Sequence, residues 1–91
     1  MTTLRVQATP SPDVKCYIIL VHGQEVNMDN GKGYVEAEGS TEFVTYALLG
    51  RPGATLDFTI DNAGTIVFNA RAAEIPAGAH CLEVGPVYFD V

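Results

Sequence analysis

The amino-acid sequence predicts an all-β fold, an antiparallel sandwich of about eight short strands. Apolar and polar residues alternate along several segments, which is typical of strands with one buried face. Clusters of glycine, proline, asparagine and aspartate separate these segments at intervals of about 8–12 residues, as in sandwiches and barrels. No stretch as long as an ordinary helix keeps a helical period of apolar residues.

The clearest alternation surrounds Phe58. Leu56, Phe58 and Ile60 are apolar, and the residues between and beside them are threonine or aspartate. This pattern predicts a half-buried strand that places Phe58 in the core. Residues 4–8 and 87–91 alternate in the same way, so we expect a strand at each end of the chain.

The Asn30-Gly31 pair is the strongest hairpin signal in the chain. A type I′ turn needs positive φ at both central residues, and asparagine and glycine tolerate this best. The pair therefore predicts a hairpin that joins a strand over residues 24–28 to one over residues 33–38.

Two other segments carry the residues of tight turns. Residues 51–53, Arg-Pro-Gly, predict a type II turn in which proline fixes φ and glycine takes the left-handed position. Residues 61–64, Asp-Asn-Ala-Gly, predict a hairpin between strands over residues 56–61 and 65–69.

The C-terminal third of the chain is less regular. Residues 69–75 could begin a helical turn, but Pro76 leaves it no room to lengthen. We expect an irregular connection or a continuation of the preceding strand there. The Gly85-Pro86 pair predicts a break between the last two strands.

Length and composition indicate a folded single domain. The chain has 91 residues, which is room for one core, so we expect one β-sandwich domain over residues 1–91. Hydrophobic residues make up 47% of the chain and charged residues 18%, which excludes a disordered protein. So low a charged fraction suggests that part of the surface is covered by a partner.

The charge distribution argues against two classes of partner. The net charge is −6, and the five basic residues are scattered singly. We therefore expect no nucleic-acid partner and no anionic membrane partner. The first residues lack a secretory signal, and the longest apolar run, residues 16–21, is far shorter than a membrane span. These features favour a cytoplasmic protein, with prior removal of a leader as the alternative.

Cys16 and Cys81 lie on the second and the penultimate predicted strands. This placement broadly resembles the inter-sheet disulfide of immunoglobulin domains, although Ala79 stands where those domains have a tyrosine. We expect an immunoglobulin-like or Greek-key sandwich, with a jelly-roll or small barrel as the alternative. Alternation places Cys16 on the core face of its strand and Cys81 on the same face as Glu83. We therefore expect two free thiols rather than a bridge.

The histidines and cysteines do not have the spacing of a metal site. Blue-copper proteins, also small β-sandwiches, carry closely spaced Cys, His and Met near the C-terminus, but nothing after Cys81 could complete such a set. His22 and His80 lack zinc-site spacing as well. Residues 29–31 and 61–65 fit turns better than calcium loops. We expect no metal and no cofactor.

No catalytic constellation is visible either. The chain has no Gly-x-Ser-x-Gly elbow, and neither cysteine lies where a histidine could reach its thiol. Glu36 and Glu38 would share the solvent face of a strand, with neither carboxyl desolvated. We therefore expect no catalytic residue and a protein that is not an enzyme.

The segments over residues 14–21 and 43–49 are apolar on both faces. Only one face of a sandwich strand meets the core, so the second apolar face must be exposed or covered. If Cys16, Ile18 and Leu20 point inward, the residues between them point outward. The candidate interaction face that follows consists of Tyr17, Ile19, Val21, Phe43, Ala47 and Leu49. A large exposed apolar patch of this kind marks a protein contact, and covering by a loop or by residues 69–78 is the alternative.

These observations predict a non-enzymatic protein–protein interaction or assembly module. Its partner would be another protein or a second copy, with self-association through the apolar sheet face giving a homo-oligomer. One alternative is a small-ligand or metal-binding β-domain. The other is an acidic inhibitor or mimic that binds a basic partner protein.

Overall fold

A computed structural model describes residues 2–91, which form eight strands and no helix. In chain order the strands are β1 (Thr2–Pro10), β2 (Val14–Val21), β3 (Gln24–Glu25), β4 (Lys32–Ala37), β5 (Thr41–Gly50), β6 (Thr55–Asn62), β7 (Thr65–Glu74) and β8 (Cys81–Asp90). All the strand pairs are antiparallel.

The strands form two four-stranded sheets that pack against each other. The first sheet has the order β4-β1-β6-β7 and the second has the order β3-β2-β5-β8. The predicted antiparallel sandwich is therefore confirmed. β1 and β2 lie in different sheets, whereas the first two strands of an immunoglobulin domain share one. The strand order thus gives no support to the immunoglobulin-like form of the prediction.

An aromatic cluster occupies the core between the sheets. Phe58 of the first sheet contacts Tyr46 of the second edge to face, with ring centroids 4.8 Å apart. Phe68 stacks against Phe58 and against Phe89, at centroid distances of 5.6 and 5.7 Å. Tilted and edge-on rings pack favourably at these distances. Burial also raises the pKa of the Tyr46 hydroxyl above its ordinary value.

The inward and outward faces of β2 are the reverse of the prediction. Ile19 and Val21 are fully buried with 0% exposure, and Tyr17 is half-buried against the core, whereas Ile18 is 36% exposed. The cause lies in pairing: Ile19 is opposite Tyr46, whose side chain is in the core. Both alternating sets of β2 are apolar, so the pattern alone could not choose between them.

The prediction for β5 is confirmed. Its inward residues, Val44, Tyr46 and Leu48, are buried, while the alternate residues face outward. Of the candidate interaction face, Phe43, Ala47 and Leu49 on β5 point outward as expected, whereas Tyr17, Ile19 and Val21 on β2 face the core.

The Asn30-Gly31 turn forms, but it does not join neighbouring strands. Asn30 has φ 53° and Gly31 has φ 78°, and the backbones of Asp29 and Lys32 exchange two hydrogen bonds across them. β3 nevertheless belongs to the second sheet and β4 to the first, so the turn lies within a crossover. The predicted hairpin between these two strands is wrong.

The other predicted turns are present. The Ala54 N–H donates to the Arg51 carbonyl across a turn that has Gly53 at φ 88°. A two-residue turn at Ala63 and Gly64 connects β6 to β7. β7 continues to residue 74, so the strand-continuation alternative for residues 69–75 holds as far as that residue.

β8 runs through the Gly85-Pro86 pair, so the predicted break between two strands is wrong. A register shift opposite Thr45 absorbs the pair, because Tyr46 is opposite Val84 and Val44 is opposite Val87. Gly85 has φ 120°, and a Cβ on it would lie 2.8 Å from the Val44 carbonyl oxygen. Glycine is required by this close approach of two backbones.

Replacing Phe58 with alanine should lower the free energy of unfolding by about 3–5 kcal/mol, because it leaves a cavity inside the aromatic cluster. Urea denaturation followed by circular dichroism measures this change. The control is Tyr88→Ala, which removes an exposed ring and should change stability by less than about 1 kcal/mol. Equal stabilities of the two variants would contradict the placement of Phe58.

Candidate interaction face

The outer surface of the second sheet is apolar over much of its area. Residues of β2, β5 and β8 that point away from the core lie side by side across the three strands. We call this set the outer apolar face: Cys16, Ile18, Leu20, Phe43, Ala47, Leu49, Cys81 and Tyr88.

The strand registers order the outer apolar face into rows. One row runs from Cys16 through Leu49 to Cys81, and Leu49 is 45% exposed at its centre. At the other end of the sheet, Phe43 is opposite Tyr88, which is 68% exposed. Large hydrophobic side chains that remain exposed side by side form a continuous patch rather than isolated surface residues.

An aromatic row closes one end of the face. The rings of Phe43 and Tyr88 have centroids 5.7 Å apart, and the His22 imidazole lies 5.1 Å from Phe43 on the other side. His22 and Gly23 form the turn between β2 and β3, with φ values of 54° and 74°. The positions of His22 and Phe43 in the sequence give no reason to expect these two rings side by side.

Charge is scarce on this surface. The carboxylates on this side of the sheet lie on its two edge strands, β3 and β8. Glu83 is opposite Ala47 and Asp90 is opposite Thr41 on β8, and Glu25 of β3 is opposite Leu20. A partner that covers the centre of the face would therefore not have to desolvate a charge there.

The outer surface of the first sheet has the opposite character. Its outward residues on the central strands β1 and β6 are polar or charged, and they are Thr3, Arg5, Gln7, Thr9, Thr55, Asp57 and Thr59. Two sheets with the same kind of interior thus present different exteriors. On the central strands that the structure describes, the second sheet alone exposes an apolar surface of the kind that a protein partner covers.

A buried aspartate, Asp61, connects two strands at the polar exterior of the first sheet. The Arg5 Nε donates to Asp61 Oδ1 at 2.9 Å, and the Gly64 N–H donates to Asp61 Oδ2 at 3.0 Å. The hydrogen bond from Arg5 holds the pKa of Asp61 below its ordinary value of 3.8, with the bond from Gly64 acting in the same direction. The same hydrogen bond raises the pKa of Arg5. These contacts connect β1 to the β6–β7 turn and stabilise the first sheet.

Both cysteines are free and exposed on the outer apolar face. The predicted inward orientation of Cys16 is wrong, because it follows the reversed faces of β2. Cys16 and Cys81 flank Leu49 from the two neighbouring strands. Two inter-strand spacings separate their Cα atoms by about 10 Å, beyond the 4.4–6.8 Å that a disulfide spans.

The structure does not bring metal-ligating side chains together. Within residues 2–91, no three His, Cys, Asp or Glu side chains are grouped so that they could hold a metal ion. Of the paired acids considered in the sequence, Glu36 is exposed and accepts a hydrogen bond from the Thr3 hydroxyl. Within residues 2–91, no helix has the length and apolar character needed to cross a membrane.

Comparisons with known proteins give no family, curated relative or solved structure that matches this chain. The function must therefore be argued from the geometry of the surface alone.

Replacing Asp61 with asparagine should remove part of the acid sensitivity of the fold. A carboxylate with a depressed folded-state pKa stabilises the protein above its ordinary value of 3.8, and this stabilisation is lost as the pH falls through the folded-state value. The variant should therefore melt below the wild type near pH 7, and the difference should shrink as the pH falls below 3.8 through the folded-state pKa. Thermal melts across this range test the expectation, with Glu74→Gln as the exposed control. Parallel curves for wild type and Asp61→Asn would contradict it.

Proposed function

We propose that the protein is a non-enzymatic assembly module that binds a second copy of itself through the outer apolar face. The observation that carries this proposal is the contrast between the polar exterior of the first sheet and the apolar exterior of the second. Association of two such faces removes apolar surface from water, which is the main favourable term in protein association. The proposal keeps the function expected from the sequence but moves its β2 residues to Cys16, Ile18 and Leu20.

The size of the face indicates how strong such a contact would be. Three strands about 4.8 Å apart and about seven residues long cover a flat area of roughly 350 Å². Two copies would then bury roughly 700 Å² or somewhat more, which is below the 1,200–2,000 Å² of stable complexes. The expected assembly is a weak, reversible dimer rather than an obligate one.

The charge distribution favours this face over the rest of the surface. Each copy carries a net charge of −6, so two copies repel each other wherever their carboxylates approach. The carboxylates beside the outer apolar face, those of Glu25, Glu83 and Asp90, lie on the edge strands β3 and β8. Contact through the centre of this face therefore brings few like charges together.

Replacing Ile18 with glutamate should weaken dimerisation about ten-fold or more without unfolding the domain, because the new charge must be desolvated in the contact. Ile18 is partly exposed and opposite Ala47 at the middle of the face. Sedimentation velocity at several concentrations gives the dissociation constant, and thermal melts report the fold.

Two further variants make this test specific. Thr59→Glu adds the same charge to the outer surface of the first sheet and should leave dimerisation near the wild-type value. Ile19→Glu puts the charge into the core and should unfold the domain, since Ile19 has 0% exposure. A wild-type protein that remains monomeric at all concentrations would overturn the proposal.

Dimerisation through the outer apolar face should strengthen as salt increases. Sodium chloride raised from about 0.05 to 0.5 M shortens the Debye length from roughly 14 to 4 Å and screens the repulsion between two acidic copies. The dissociation constant measured by sedimentation should fall accordingly, while Ile18→Glu stays largely monomeric. Dissociation of the wild-type dimer by salt would instead indicate a contact made by opposite charges.

A further inference from the structure

An acidic groove opens where the edges of the two sheets face each other. It lies between β3, the edge strand of the second sheet, and β4, the edge strand of the first. Four carboxylates line it, those of Glu25, Glu36, Glu38 and Glu42, and no lysine or arginine of the described chain does so. The exposed Tyr34 ring lies on the β4 side.

One of these carboxylates is buried and poorly satisfied. Glu42 is 3% exposed, and its Oε1 accepts one long hydrogen bond of 3.4 Å from the Gly39 N–H. Its Oε2 is enclosed, and within the described residues it has no polar partner besides the His22 imidazole. The ion-pair partner of Oε2 is the His22 imidazole, whose Nδ1 lies 2.8 Å away and is a counter-ion only when protonated. Leaving a buried carboxylate without a full set of partners is costly, so this position favours a permanently charged donor.

His22 holds this position loosely. Its side chain is 69% exposed and projects from a two-residue turn, with the Phe43 ring as its aromatic neighbour. Displacing an exposed imidazole costs little buried surface, so a stronger donor could take its place beside Glu42.

We propose that the groove binds an arginine side chain of an extended basic peptide, whose guanidinium replaces His22 as the partner of Glu42. A guanidinium carries five donors and a permanent charge, so it can engage Glu42 and a neighbouring carboxylate together. The Tyr34 ring offers a cation–π contact beside them. The groove has no trio of metal ligands, since none occurs within the described residues.

The edge strand β4 favours a peptide over a free polyamine. β4 pairs with β1 on one side, and on its other side Lys32 exchanges two backbone hydrogen bonds with Asp29. Beyond Lys32 no described strand pairs with that side, which leaves backbone N–H and C=O groups beside the groove. An extended peptide can pair with these groups while its alternate side chains enter the groove. A polyamine would use the carboxylates alone.

The test titrates the protein with a blocked pentapeptide that has arginine at its second and fourth positions. Isothermal titration calorimetry measures the affinity, and an otherwise identical peptide with citrulline in place of arginine serves as the neutral control. We expect the arginine peptide to bind, the citrulline peptide to bind at least about ten-fold more weakly, and added salt to weaken binding. Equal binding of the two peptides would overturn the proposal.

Variants locate the binding site. Glu38→Gln should weaken binding about two- to five-fold as an exposed contact, and Glu42→Gln about ten-fold or more as a buried one. Glu74→Gln removes the same charge from β7 outside the groove and should leave the affinity unchanged. If Glu42→Gln fails to fold, the affinities of Glu38→Gln and Glu74→Gln for the arginine peptide still test the site. An equal loss of affinity in these two variants would mean that the peptide is attracted by net charge alone, which would overturn the proposed site.

A last variant tests the replacement of His22. His22→Gly removes the imidazole, and glycine adopts the φ of 54° at this position without strain. If the imidazole competes with the peptide, this variant should bind the arginine peptide about two-fold or more tightly than the wild type. Weaker binding would show that His22 contributes to the site and would overturn the proposal that a guanidinium replaces it beside Glu42. Spermine binding as tightly as the peptide would overturn the peptide as occupant.

Discussion

The register between β2 and β5 is the constraint on which both surfaces depend. It places Ile19 opposite Tyr46, so that the inward side chains of both strands meet in the core. The alternate residues of the two strands are then left outside, where they form most of the outer apolar face. The same register lets the His22 N–H donate to the Phe43 carbonyl and brings the imidazole to Glu42. A slip of one residue would exchange the two faces of β2 and take His22 away from the groove.

The sequence predicts a strand well where its two faces differ in polarity. The alternation around Phe58 leaves one arrangement, and the structure confirms it. On β2 both sets are apolar, so the choice between Ile18 and Ile19 depends on which residue of β5 lies opposite. These two strands are more than twenty residues apart in the chain, so the local pattern of apolar residues does not indicate which residues pair. The apolar character of the interaction face could therefore be predicted, but half of its residues could not.

Turns show the same division between local and distant causes. The residues of the Asn30-Gly31 turn determine its backbone conformation, yet the sheets to which β3 and β4 belong depend on tertiary packing. The groove between these strands was missed for this reason, because the wrong hairpin would have paired its two walls. One local signal was available. Glu42 continues the inward alternation of β5, so it is a carboxylate at a core position.

The alternation of β5 explains how two unlike surfaces can lie so close together. Glu42 faces inward at the mouth of the groove, and Phe43, the next residue, faces outward on the outer apolar face. Of the 11 acidic residues, four line the groove, and those on the outer side of the second sheet, Glu25, Glu83 and Asp90, lie on its edge strands. The low charged fraction of 18% therefore reflects an apolar exterior as well as a core. Because charge is concentrated at the groove and scarce at the centre of the outer apolar face, we expect salt to weaken binding at the groove and to strengthen contact through the face, so that the two occupants can be distinguished by that response.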